Sequence, residues 1–105
     1  MSPEIDIFRA LADPTRRAVY ERLAGREMSV SELTTGFSVS QPAISQHLAA
    51  LRGAGLVSER REGRFAYYRA APGGLAPLLD WIDRYRAFWP DRLDRLRTVL
   101  KGMDQ

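Results

Sequence analysis

The chain has 105 residues, 45% of them hydrophobic, carries a formal net charge of +3 and contains no cysteine. That length and apolar content fit one folded domain and exclude a disordered chain. The absence of thiols excludes disulfides, thiolate metal sites, cysteine nucleophiles and thiol redox switches. No apolar run nears the twenty or so residues that span a bilayer, and the start MSPEIDIF lacks the basic-then-apolar layout of a signal peptide, so a cytoplasmic protein without a membrane partner is expected.

A first helix is predicted over Pro3–Ala12, with Ile5, Phe8 and Leu11 on one face at spacings of three. Asp13 then caps a second helix with Pro14 at its first position, where a missing N–H costs little. This helix buries Val19 and Leu23, with Tyr20 beside them, and ends at Gly25. Arg16 and Arg17 lie in its first turn, where they oppose the positive end of the helix dipole. A DNA phosphate would relieve that cost, as would pairing with Glu21 or Asp13. Ser29 and Glu32 have the spacing of a capping box and open a short third helix through Leu33 to Gly36.

Ser40 is the expected N-cap of a fourth helix, with Gln41 and Pro42 at its first two positions. Ile44, Leu48 and Leu51 make its buried stripe, and Gln41, Ser45, Gln46 and Ala49 its other face. Glutamine and serine can donate to or accept from base edges, and their size lets a helix approach the floor of the major groove. Gly53 and Gly55 close this helix, and Leu56 and Val57 lead into a strand. A hairpin follows, carrying Arg60, Arg61, Arg64 and Arg69, with a turn expected at Glu62-Gly63 and strand-forming bulk from Phe65, Tyr67 and Tyr68. Helix, tight turn, capped helix and hairpin make the order of a winged helix-turn-helix.

Charge placement agrees with that order. Residues 41–71 hold five arginines against two acids, whereas residues 1–40 hold five against six. Arginine suits bidentate phosphate and guanine contacts, although a general coding bias toward arginine would look the same.

Pro72-Gly73-Gly74 is the clearest break in the chain, and residues 73–105 are expected to form a C-terminal dimerisation helix or helices. Leu75, Leu78, Leu79, Ile82, Tyr85, Trp89, Leu93, Leu96 and Leu100 keep a helical period, which Trp81 and Phe88 widen. Pro90 either kinks this stretch or starts a new helix. So much aromatic surface points to a second copy of the chain, the competing reading being a fold-back onto the protein's own core. The expected interface is Ile5, Phe8, Leu78, Trp81, Ile82, Tyr85, Phe88 and Trp89.

With these elements in place the chain resembles the ArsR family of bacterial winged-helix repressors over nearly its full length. The match is carried by LADPTRRAVYERLAG (Leu11–Gly25), by the run from Ser29 to Val57 and by REGRFAYYR (Arg61–Arg69). The resemblance implies a homodimer joined through its first and last helices that binds a double-stranded operator and blocks transcription. It also implies a recognition helix carrying Ser40, Gln41, Ser45, Gln46 and His47, and a wing tip at Gly63 and Arg64. The expected fold is therefore mainly α with a small β-hairpin, in the order ααααββα. The full DNA-contact set is Arg16, Arg17, Ser40, Gln41, Pro42, Ser45, Gln46, His47, Arg52, Arg60, Arg64 and Tyr68.

Many members of that family sense metals, and this sequence departs from them. Their Cys-x-Cys motif falls on Ser29 and Ser31, whose hydroxyls are poor ligands for soft metals. The last helix offers Asp80 and Asp83 but no histidine, so neither a metal nor a cofactor is expected, while an unidentified small-molecule effector stays open. His47, the only histidine, has no acid close to it in sequence and no nucleophile in register, which argues against an enzyme. The competing function is a winged-helix module that docks a protein through its aromatic C-terminal helix.

Overall fold

The computed structural model describes residues 2–86 and 90–103. The chain runs α1 (Pro3–Ala12), α2 (Pro14–Gly25), β1 (Met28–Ser29), α3 (Val30–Thr35), α4 (Gln41–Gly53), β2 (Val57–Glu62), β3 (Phe65–Ala70), α5 (Ala76–Arg86) and α6 (Pro90–Met103). The expected order thus gains a short strand and a sixth helix, and Pro90 stands at the first position of that helix.

The helix starts follow from local hydrogen bonding. The Asp13 carboxylate accepts the Arg16 backbone N–H at 2.9 Å. Ser29 Oγ accepts from the Glu32 N–H at 3.1 Å while Glu32 Oε1 accepts from the Ser29 N–H at 3.0 Å, a closed capping box. Ser40 Oγ accepts the Ala43 N–H at 3.3 Å. The end of α4 is equally specific. Leu56 N–H reaches the Leu51 carbonyl at 2.9 Å and Gly55 N–H the Arg52 carbonyl at 3.0 Å, the paired bonds of a Schellman motif. That motif needs a left-handed residue, and Gly55 supplies it with φ +76°.

The core gathers buried side chains from the first four helices: Ile7 from α1, Val19 and Leu23 from α2, Leu33 from α3, and Ile44, Leu48 and Leu51 from α4, closed by Leu56. Burying such a side chain contributes about 1.5–3 kcal/mol, so these side chains, more than helix propensity, hold α3 and α4 in their mutual angle. The sheet is antiparallel in the order β1-β3-β2, with Met28 opposite Tyr68 and Ser29 opposite Tyr67. Its hairpin closes at Glu62 opposite Phe65, which places the two-residue turn on Gly63-Arg64, one residue later than the sequence pattern suggested. Gly63 takes φ +60° at the first turn position, a conformation that suits glycine and leaves Arg64 in ordinary space.

Helix α5 lies against α1 and has no fully buried residue, and residues 95–102 of α6 are exposed. The radius of gyration, 16.8 Å, accordingly exceeds the roughly 13 Å of a compact chain of this size.

Candidate nucleic-acid interface

Helix α4 presents a polar face. Gln41, Pro42, Ser45, Gln46 and Ala49 are exposed on α4, while Ile44, Leu48 and Leu51 are fully covered on its reverse. Proline at the second position and the Ser40 cap fix where the helix begins, and so which side chains its first turn offers. His47 stands between the two faces, half-buried, with Nδ1 enclosed and without a hydrogen-bond partner. The fold brings Asp13 into its neighbourhood. The Asp13 carboxyl is held below the usual range, first by the Arg16 N–H it accepts and further by the charges of His47 and Arg16. The acid that sequence spacing did not offer His47 is therefore present, at the cap of α2, where it is already committed to that helix.

The two arginines at the start of α2 differ. Arg17 is exposed, with Nη1 3.5 Å from the Leu11 carbonyl. Arg16 is half-buried, its Nε enclosed and unpartnered, and it lines a cleft of about 280 Å³ with Asp6, Arg9, Ala50 and Gly53. Arg17 is the better placed of the two for a phosphate.

The hairpin's arginines are mostly engaged inside the protein. Glu59, whose side chain is only 8% exposed, accepts from Arg52 Nη1 at 2.9 Å, Arg61 Nε at 2.7 Å and the Tyr68 hydroxyl at 2.8 Å. Its carboxyl is lowered, chiefly by the Tyr68 hydrogen bond and next by Arg61, and burial with the Glu59 partner raises the Tyr68 phenol. Arg60 reaches Glu27 and Glu62, each at 2.7 Å, and lies 4.8 Å over the Tyr67 ring. Those two carboxylates push the Arg60 pKa further up, and Arg60 in turn lowers Glu27. Arg52, Arg60 and Tyr68, expected to face DNA, thus have partners within the fold. Arg64 at the wing tip is exposed and has no ion-pair partner among the described residues.

A second surface lies on the opposite elements. Phe8 of α1 meets Trp81 of α5 edge-on at 5.2 Å, and Trp81 meets Tyr85 at 4.8 Å. Phe8 is 44% exposed, and Ile5, Ile82 and Tyr85 are exposed to a similar degree. Leu78 is partly buried against the protein's own core, while Leu79 stands outside. Leu79, Trp81, Ile82 and Tyr85 line a trough of about 790 Å³, with Arg97 of α6 at its side. Phe88 and Trp89 lie outside the described residues.

Residues 13–59 match the family described as "Bacterial regulatory protein, arsR family". The HTH-type transcriptional regulator Rv2034 of Mycobacterium tuberculosis is 47% identical over 78 residues, covering 74% of this chain and 73% of that protein. The chain belongs to the arsR family of bacterial regulatory proteins. The arsenical resistance operon repressor of Escherichia coli is 42% identical over 100 residues, 94% of this chain and 83% of the relative. A solved ArsR-like transcriptional regulator from Rhodococcus sp. RHA1 superposes with a TM-score of 0.74 at 34% identity, covering 92% of each chain. As an arsR-family member the chain is a DNA-binding transcription regulator and not an enzyme, and its fold is the family's winged helix. Among the described residues no helix is long and apolar enough to cross a membrane.

Three contributors to this interface escaped the sequence reading: Glu27, Glu59 and strand β1. A carboxylate set among arginines, as Glu59 is in Glu59-Arg60-Arg61, was the available signal. Glu27 carries none, since its partner is 33 residues away.

Proposed function

We propose that this chain works as a homodimeric repressor that occupies operator DNA and thereby blocks transcription, without sensing a metal. The observation that carries the reading is the exposed face of α4, where Gln41, Ser45 and Gln46 stand together on a helix fixed at its start and anchored by its reverse face. Glutamine pairs bidentately with adenine in the major groove, and serine serves several bases. Arg64 at the wing tip and Arg17 at α2 supply phosphate or minor-groove contacts that position the helix without reading sequence.

Dimerisation is supported by the exposed apolar side chains that α1 and α5 share, and a two-fold copy would present two reading helices to half-sites about one DNA turn apart. The freedom from metal is supported by the chemistry of the side chains. The chain has no cysteine, the Ser29 hydroxyl is occupied as a helix cap, and among the described residues no three His, Cys, Asp or Glu gather as a cation site. Soft metals and arsenic(III) require thiolates that are absent here.

Selection of duplexes from a random-sequence library tests the reading. It should enrich a two-fold symmetric sequence, and arsenite or zinc added to the selected complex should leave affinity unchanged. Failure to enrich any sequence would overturn the DNA-reading function, and release by arsenite or zinc would overturn the metal-independent part.

A further inference from the structure

We propose that Glu59 is a positioning residue that braces the wing against the reading helix and thereby sets how well the protein discriminates between DNA sequences; this rests on the DNA-reading function proposed above. The covalent link from α4 to β2 is the short turn Ala54–Leu56. Across it, Arg52 in the last turn of α4 binds Glu59 in the middle of β2 at 2.9 Å. The same carboxylate takes Tyr68 of β3 at 2.8 Å and Arg61 of β2 at 2.7 Å. One nearly covered acid therefore joins the helix to both strands of the wing through charge-assisted bonds, which are shorter and stronger than neutral ones.

Alternation along β2 turns Arg60 to the other side of the strand from Glu59. There it binds Glu27, just before β1, at 2.7 Å. The wing is thus tied on both faces, one tie leading to the reading helix and the other to the body of the domain. A wing held at a fixed angle reaches its own DNA contact only when α4 sits in one register in the groove. A loosened wing reaches phosphates from several registers, so wrong sequences lose less.

The test compares Glu59→Gln, Arg52→Gln and the double variant with wild type, on the duplex that wild type selects and on a random-sequence duplex. Glu59→Gln keeps an acceptor for Tyr68 while removing the charge. Arg52→Gln alters an exposed side chain, and so provides a folded protein if Glu59→Gln fails to fold; circular dichroism establishes which variants are folded. Each single variant should lower the ratio of selected to random affinity by about tenfold, the scale of losing one base-pair readout. The double variant should lower it no further, as expected of two ends of one brace. Loss of overall stability would lower binding to both duplexes alike and leave the ratio intact. An unchanged ratio in folded Arg52→Gln, with equal weakening on both duplexes, would make Arg52 a phosphate contact and overturn the brace. A wild-type protein that selects no sequence would overturn the DNA-reading function itself, and the role of Glu59 with it.

Discussion

Gln41 and Arg64 are both exposed and polar, yet they occupy positions with different consequences for DNA. Gln41 is on the first turn of α4, where, on the proposed reading, its side chain would enter the groove and meet base edges. Arg64 is at the hairpin turn, where, on the same reading, it would meet the backbone that all sequences share. Gln41→Ala should therefore relax preference at defined base pairs, costing roughly 1–3 kcal/mol there, while leaving random-duplex affinity nearly unchanged; a selected consensus identical to wild type would contradict this. Arg64→Ala should weaken every duplex alike and reduce the slope of log affinity against log salt by about 0.9. A fixed slope would show that the wing tip does not touch phosphate. Arg52, Arg60 and Arg61 should contribute less to DNA binding than their number suggests, because Glu27, Glu59 and Glu62 partner them.

The elements depend on a few acids with a defined pH response. Asp13 and Glu32 cap helices, and Glu27 and Glu59 tie strands, and all four have lowered carboxyl pKa values. A lowered folded-state pKa gives stability that is present above the unfolded value, about 4 for carboxyls, and is lost as pH falls through the folded value. Thermal midpoints should hold steady from pH 7 to about 5 and drop below about pH 4.5; a profile flat to pH 3 would show that these bonds do not differ from those of the unfolded chain. At the start of α3, Ser29→Ala removes one half of the capping box and should cost about 1 kcal/mol, or about 4–8 °C in Tm. Ser31→Ala, at an exposed position, should change Tm far less. The caps of α2, α3 and α4 were legible in the sequence because each is closed within three residues. Strand β1 was not, since a two-residue strand has no periodicity and exists only once β3 lies beside it. The same holds for Asp13 near His47 and Glu27 on Arg60, contacts that only the packing of separate elements creates. The turn was misplaced by one residue because Gly63 fits either turn position by conformation, and the strand register decided between them.

At the scale of the whole molecule, the chain divides into a side proposed to read DNA, α3 to β3, and an apolar side, α1 with α5. Ile82 stands 47% exposed on that second side, outside the core, so Ile82→Glu should leave the monomer folded while opposing self-association. The variant should sediment as a monomer and lose most affinity for a two-fold symmetric duplex, since each reading helix then binds without its partner. A dimer that survives the substitution would place the interface elsewhere. The central claim, that two copies of this chain read DNA together, is tested most directly by titrating the selected duplex across a range of salt while measuring the mass of the complex. The account predicts two protomers per duplex, with an affinity that falls steeply as salt rises and exceeds that for random sequence. A monomer whose affinity for DNA is weak and indifferent to sequence would contradict it, and would turn the apolar face of α1 and α5 into a docking surface for another protein.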